Sequence, residues 1–231
     1  MNHEIARQCS SAYDQSSAVY LSHQSLKTLP DPLGSMESLT WLEVGENDLT
    51  VLPDWVGNLR ELTWLGASGN GLTSIPATLG NLHRLSRLDL SNNRLSSLPA
   101  TLGNLSALTR LDLSHNQITT LPSELSQLKN LTCLDVSNNQ LTRIPPAWHE
   151  LTNITRLDLS GNHLTEVPEW VRNATRLTWL GLDHNSISQL PDWLKDVNQL
   201  VWLRLGANPL THLPEWAGKM NNLIEFDLPI R

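Results

Sequence analysis

The chain repeats itself every 23 residues, and this period constrains its fold more than any other feature. Residues 85–107 align without a gap on residues 108–130, with apolar residues, one Asn and one Pro at matching places. A single unit of this length cannot bury its apolar side, so consecutive units must stack to form a core. Nine units begin at Ser16, Leu39, Leu62, Leu85, Leu108, Leu131, Ile154, Leu177 and Leu200, and a truncated tenth begins at Leu223.

The residues of each unit are numbered as positions 1 to 23. The residue types that recur at these positions predict the local structure of the unit. Positions 4 and 6 are apolar, as at Leu88 and Leu90, which predicts a short strand with one buried side. Position 15 is Pro, as at Pro99, which suits the opening of a short helical turn or an extended segment. Successive strands are expected to form one parallel sheet.

Position 9 is Asn in eight successive units, which predicts a column of buried amides. Each amide is expected to bond to the backbone of the turn after its own strand, because buried polar groups must be paired. We interpret this ladder as structural. It consists of Asn47, Asn70, Asn93, Asn116, Asn139, Asn162, Asn185 and Asn208.

The repeated consensus resembles that of the leucine-rich repeat proteins, in particular the intracellular, Ras-group-related class and similar bacterial proteins. Residues 98–108 carry the pattern LPxxLGNLxxL, and the pattern LxLxxNxL recurs after it. The resemblance implies an α/β horseshoe solenoid with a parallel concave β-sheet and short helical or extended convex segments. It also predicts an N-terminal capping segment at residues 1–15 and one repeat domain at residues 16–231.

Composition excludes several classes of function. With 16 Lys and Arg against 23 Asp and Glu, the net charge is −7, which argues against a nucleic-acid partner. No apolar run is long enough to cross a bilayer, so no membrane insertion is predicted. Cys9 and Cys133 are the only cysteines and cannot form disulfide-knotted caps, which favours a reducing, cytoplasmic location. Delivery into another cell as an effector is the alternative.

Positions 3 and 5 are expected to project from the concave sheet, where a partner would bind. Trp41 and Trp64 are predicted to stack as neighbours, and so are Trp179 and Trp202, on either side of a charged centre. The small Gly66 and Gly181 leave hollows that either an indole or a ligand group could fill. The candidate partner-binding residues are Tyr20, Trp41, Glu43, Trp64, Arg87, Asp89, Arg110, Asp112, Asp135, Arg156, Asp158, Trp179, Trp202 and Arg204.

For this concave centre, one alternative is that the Arg and Asp columns pair with each other as a ladder of weak ion pairs. The convex tryptophans are interpreted separately, as packing between adjacent turns. They are Trp55, Trp148, Trp170, Trp193 and Trp216.

No catalytic, cofactor or metal site is predicted. Cys133, Asp135 and His115 have the right chemistry for a nucleophile, an orienting acid and a base. However, about five extended residues separate His115 from Cys133, on the order of 16 Å, and a nucleophile needs its base at about 3 Å. His23 and His184 share the position of His115 but lie several strands away, so the three cannot share one metal ion.

Three hypotheses of function remain open. The first is a non-catalytic protein-interaction module or scaffold, as in signal transduction, that binds a partner protein on its concave face. The second is binding of a carbohydrate or other small ligand on the Trp platforms. The third is that the chain is the recognition arm of a larger effector or signalling enzyme. The protein is expected to be a monomer or a weak homodimer.

Overall fold

Ten strands of three residues form one parallel sheet in the computed structural model of this protein. The structure describes residues 17–212, 214–217 and 225–227, so the predicted capping segment lies outside the described residues. The sheet order is the chain order, and each residue pairs with the one 23 positions on, as Leu88 does with Leu111. The strands are β1 (Ala18–Tyr20), β2 (Trp41–Glu43), β3 (Trp64–Gly66), β4 (Arg87–Asp89), β5 (Arg110–Asp112), β6 (Cys133–Asp135), β7 (Arg156–Asp158), β8 (Trp179–Gly181), β9 (Trp202–Arg204) and β10 (Glu225–Asp227).

A five-residue 3₁₀ helix follows the position-15 Pro on the convex side of units one to eight. In unit four the carbonyl oxygen of Pro99 accepts a hydrogen bond from Leu102 N at 3.1 Å, which closes the first turn. The sequence left a helical turn and an extended segment open, and the turn is the one observed. These helices are Asp31–Ser35, Asp54–Asn58, Ala77–Asn81, Ala100–Asn104, Ser123–Gln127, Pro146–Glu150, Glu169–Asn173 and Asp192–Asp196.

The apolar core runs continuously between the sheet and the convex helices. Leu88 and Leu111, at the centres of β4 and β5, are each 2 % exposed, and Trp148 on the convex side is fully buried. Full burial of one such leucine contributes about 1.5–3 kcal/mol, so stacking the units supplies the folding energy that one unit lacks. The predicted horseshoe solenoid is confirmed.

The position-9 asparagines bond to two units at once. Asn93 Nδ2 donates to the carbonyls of Leu90 and Ser91 in its own turn, at 3.0 and 3.1 Å. It also donates to Ala67 O in the preceding unit at 3.0 Å, and Asn93 Oδ1 accepts from Leu72 N at 3.0 Å. The same pattern recurs from Asn47 to Asn208. The sequence predicted the bonds within the turn but not those that join neighbouring units.

A second ladder, not predicted, runs along position 2. Thr63 Oγ1 donates to Thr40 O at 2.9 Å, and the pattern continues unit by unit to Thr178. Val201 takes this position in unit nine, where only the backbone bond to Thr178 O remains. Ser or Thr recurring at one position was the available signal.

Position 8, directly before the ladder asparagine, has a left-handed backbone throughout the described units. Its φ angles lie between 52° and 64°, a region that disfavours residues with a Cβ atom. Only two units have Gly there. The residues are His23, Glu46, Gly69, Asn92, His115, Asn138, Gly161, His184 and Ala207.

Glycine at position 19 allows the convex helices of units two to five to pack closely. Gly57, Gly80 and Gly103 occupy it in units two to four, and a Cβ on any of them would overlap the backbone of the next helix. Position 19 of units six and seven is His149 and Arg172, and both line a cavity of about 590 Å³ that opens between their helices. This cavity lies on the convex side and not on the predicted binding face. Within the described residues, no helix is long and apolar enough to span a membrane.

Candidate partner-binding face

The strands present positions 3 and 5 on the concave side, as the alternation of apolar residues predicts. All fourteen candidate residues lie within β1–β9. In β4, for example, Leu88 is buried between an exposed Arg87 and a partly buried Asp89. The candidates are therefore brought together on one face, but they fall into an aromatic cluster, a charged centre and a second, different aromatic site.

The aromatic cluster consists of Tyr20, Trp41 and Trp64 on β1–β3. The Trp41 and Trp64 rings are stacked, with centroids 4.7 Å apart and an interplanar angle of 14°, which confirms the predicted pair. Tyr20 lies 6.4 Å from Trp41 in a tilted arrangement and is 69 % exposed. Because the ring spacing equals the strand spacing of about 4.8 Å, the stack runs along the solenoid and turns ring edges toward solvent.

Glu43 holds the aromatic cluster in place. Its Oε2 accepts a hydrogen bond from Trp64 Nε1 at 3.0 Å, and its Oε1 accepts one from Gly45 N at 3.1 Å. The carboxylate also occupies the space over Gly66, where a Cβ would collide with it. The hollow at Gly66 is thus filled by Glu43, and this positioning role was not predicted.

Trp179 and Trp202 do not form the second stacked pair that the sequence predicted. They are partners in sheet register, but their rings are not among the aromatic contacts of the described residues. Instead, the Arg156 guanidinium lies 3.6 Å from the Trp179 ring centroid, in a cation–π contact. Arg156 and Trp202 lie on the two strands that flank Trp179, so either side chain could pack against the Trp179 ring. Trp202 is left 36 % exposed.

The hollow at Gly181 is filled as well. A Cβ on Gly181 would lie 2.6 Å from the Trp179 ring and 2.6 Å from Asp158 Oδ1. The indole therefore covers its own sheet at this point, which was one of the two alternatives. Neither glycine leaves a ligand-sized pocket on the concave face.

The position-5 aspartates each cap the end of their own strand. Asp89, Asp112 and Asp135 accept a hydrogen bond through Oδ1 from the backbone N–H two residues later, each at 2.9 Å. Asp158 does the same at 3.1 Å. The sequence signal was the recurring Asp-x-Ser, since Asp commonly bonds to the backbone two residues on. One carboxylate oxygen of each aspartate therefore has a structural role.

Pairing between the Arg and Asp columns is confined to one end of the charged centre. Arg156 lies 3.6 Å from Asp158. Arg204 pairs with Asp183 of the neighbouring unit at 3.1 Å, and not with a position-5 residue. Among the described residues, Arg87 and Arg110 form no ion pair. The alternative of a continuous ion-pair ladder is therefore wrong.

Burial shapes the acid–base properties of this centre. It raises the pKa of the Asp112 and Asp135 carboxyls, against the hydrogen bonds from Ser114 and Ser137, which lower it. Burial also raises the pKa of the Cys133 thiol, although Arg156 and Arg110 oppose the effect. A protonated thiol is a poor nucleophile. No three His, Cys, Asp or Glu residues in the described ranges are grouped so that they could hold a metal ion.

The convex tryptophans pack as predicted. Trp148 and Trp170 are buried and meet edge to face, with ring centroids 6.1 Å apart. Trp55, Trp193 and Trp216 are partly buried against the core. These indoles contribute to the outer layer and not to the concave face.

Comparisons with known proteins give the family of the chain. A leucine-rich repeat family model matches it in overlapping segments at residues 68–118, 83–141, 106–164, 129–187 and 153–210. No curated protein matches the sequence.

Solved structures give the same architecture. A leucine-rich repeat protein of Leptospira interrogans is 28 % identical, with a TM-score of 0.70 over 94 % of this chain and 67 % of its own. An internalin of Listeria monocytogenes is 23 % identical, with a TM-score of 0.80 over 93 % of this chain and 61 % of its own. The first likeness extends to sequence, while the second shows the fold alone.

Proposed function

Because the chain belongs to the leucine-rich repeat family, we propose that it is a non-catalytic module that binds a partner protein on its concave face. The observation that carries this proposal is the aromatic cluster of Tyr20, Trp41 and Trp64, in which Glu43 fixes Trp64 and Trp64 stacks on Trp41. Trp, Tyr and Arg are the residues most enriched among binding hot spots.

The cluster is ordered before any partner arrives, which favours binding. Stacking fixes Trp41 against Trp64, and the Glu43 carboxylate fixes the Trp64 indole N–H. A side chain that is already immobilised does not lose rotamer entropy on association, a cost of about 0.5–1.5 kcal/mol per residue. The cluster therefore suits recognition more than packing within the repeat.

The same geometry favours a protein partner over a carbohydrate. A sugar ring is bound by stacking on the open face of an indole, and three of the four concave indoles each have one face already covered. Trp41 and Trp64 cover each other, and Arg156 covers one face of Trp179. We place the module in a reducing, cytoplasmic compartment on the strength of its two cysteines, where it would act as a scaffold in signal transduction or as part of a larger effector.

The test is affinity capture with the Trp64→Ala, Trp179→Ala double variant, read by mass spectrometry of the bound proteins. Each hot-spot indole contributes about 2 kcal/mol or more, so the double variant should bind its partner at least about a hundredfold more weakly. The matched control is Trp55→Ala, Trp193→Ala, which removes two convex indoles. Circular dichroism checks that both variants fold. Capture that is undiminished in the folded concave variant overturns the proposal.

A further inference from the structure

Two parallel rows of opposite charge cross the middle of the concave face. Both rows lie on β4–β7, whose strands are consecutive in the sheet and in exact register. Neighbours in a row are about 4.8 Å apart, and the rows are about 7 Å apart, the length of two extended residues. The basic row consists of Arg87, Arg110 and Arg156, and the acidic row of Asp89, Asp112, Asp135 and Asp158.

Most of these charges form no ion pair with another described residue. Arg87 and Arg110 are exposed, and neither they nor Asp89, Asp112 and Asp135 form an ion pair with any residue that the structure describes. In Asp89, Asp112 and Asp135, Oδ1 accepts a hydrogen bond from the backbone at the end of the strand, and Oδ2 remains available to a partner.

The acidic row also lowers the stability of the free protein when its carboxyls are ionised. Burial raises the pKa of Asp112 and Asp135, and the neighbouring carboxylates add to the effect. A partner that brings cations to this row and anions to the Arg row would neutralise charges that are already partly desolvated, which is worth more than pairing in water.

The spacing of the rows matches an α-helix. Four strands span three intervals of about 4.8 Å, or roughly 14 Å, while three helical turns of 5.4 Å span about 16 Å. An extended segment along the same direction repeats its side chains on one face every 6.6–6.8 Å or so, and loses register after one strand. Trp64 and Trp179 stand just beyond the two ends of the rows, on β3 and β8.

We propose that the partner presents an α-helix that lies along the solenoid over β4–β7, with acidic side chains over the Arg row and basic side chains over the Asp row. Apolar residues near its two ends meet Trp64 and Trp179, five strand intervals or about 24 Å apart, which is about 16 helical residues. This inference rests on the proposed function and specifies the partner of the same face.

The test uses two synthetic helical peptides of identical composition, titrated against the full chain by fluorescence anisotropy. The first has Glu along one flank, Lys along the other and Leu near both ends. The second alternates Glu and Lys within each flank. A peptide with the flanks merely exchanged is no control, because a helix that reverses its direction restores the match. The segregated peptide should bind at least tenfold more tightly, and added salt should reduce the difference.

A charge reversal on the protein completes the test. Arg110→Glu should weaken the segregated peptide at least tenfold, whereas Arg143→Glu, a reversal of an exposed charge on the convex side, should leave it unchanged. Equal affinity for the two peptides, or an Arg110→Glu variant that binds like the parent, overturns the helix inference. If the double Trp variant still loses its captured partner in that case, concave binding stands and only the helix is rejected.

Discussion

At the scale of single residues, each ladder asparagine holds two units together, and its loss should be severe. Asn116 Nδ2 donates to Leu113 O in its own turn and to Leu90 O in the preceding unit, both at 3.0 Å. Its Oδ1 accepts from Leu95 N at 2.9 Å. Asn116→Ala strands these buried backbone groups, each at about 1–3 kcal/mol, so we expect a loss of roughly 3 kcal/mol in the free energy of unfolding. Urea denaturation followed by circular dichroism measures it.

The control is Asn104→Ala, since that side chain is exposed and makes no hydrogen bond to any described residue. Its effect should stay within about 0.5 kcal/mol, as for other surface substitutions. Similar losses in the two variants would contradict the structural role of the ladder.

The left-handed position predicts a gain in stability. Ala207 is exposed and has a φ of 52°, which costs an L-residue about 1–2 kcal/mol. Ala207→Gly relieves this cost but makes the unfolded chain more flexible, by about 0.4–1 kcal/mol. The net expectation is a stabilisation of up to about 1.5 kcal/mol and a higher Tm by calorimetry. Ala100→Gly, in the right-handed first turn of a convex 3₁₀ helix, should lower the Tm instead.

At the scale of the elements, close packing of the convex helices of units two to five depends on glycine at position 19. A Cβ on Gly80 would overlap the carbonyl oxygen of Thr101, which is backbone and cannot rotate away. Gly80→Ala forces the helices Ala77–Asn81 and Ala100–Asn104 apart, at a cost of about 1–3 kcal/mol typical of overpacking. Thermal unfolding of the variant measures this cost.

Gly71→Ala is the matched substitution, because the nearest atom to its Cβ, Leu49 O, is an ordinary 3.4 Å away. It should change the free energy of unfolding by less than about 0.5 kcal/mol. If Gly71→Ala were as harmful as Gly80→Ala, the loss would reflect glycine flexibility in general and not the approach of two helices.

The elements were predictable from the sequence because the period repeats one backbone. The strand centred on Leu88 and the concave-facing side of each strand follow from position alone. For the segment after Pro99, position left a helical turn and an extended stretch both open. Contacts between side chains of neighbouring units cannot be predicted in this way, because each side chain has a neighbour on both sides and can pack against either. Trp179 lies between Arg156 and Trp202 in the sheet, and only the structure shows that the Arg156 guanidinium covers one face of its ring. For the same reason the sequence did not predict the hydrogen bond from the Trp64 indole to Glu43.

At the scale of the whole molecule, the acidic row makes stability depend on pH in an unusual direction. Burial raises the pKa of Asp112 and Asp135 in the folded protein, while in the unfolded chain both titrate at the usual carboxyl value. Between the two values the folded state holds more protons than the unfolded state. The free energy of unfolding therefore falls as pH rises through this window, and the lost part stays lost at neutral pH.

The double variant Asp112→Asn, Asp135→Asn tests this, because an amide oxygen still accepts the Ser114 and Ser137 N–H bonds without carrying charge. We expect the variant to unfold at higher urea than the parent at pH 7 and to lose that advantage at pH 3, where the parental carboxyls are protonated. A parent that is the more stable at pH 7, or a difference that is the same at both pH values, would contradict it. Since a partner's cations over this row would relieve the same repulsion, the variant should gain stability and lose affinity together, which links the strain in the free solenoid to its proposed recognition.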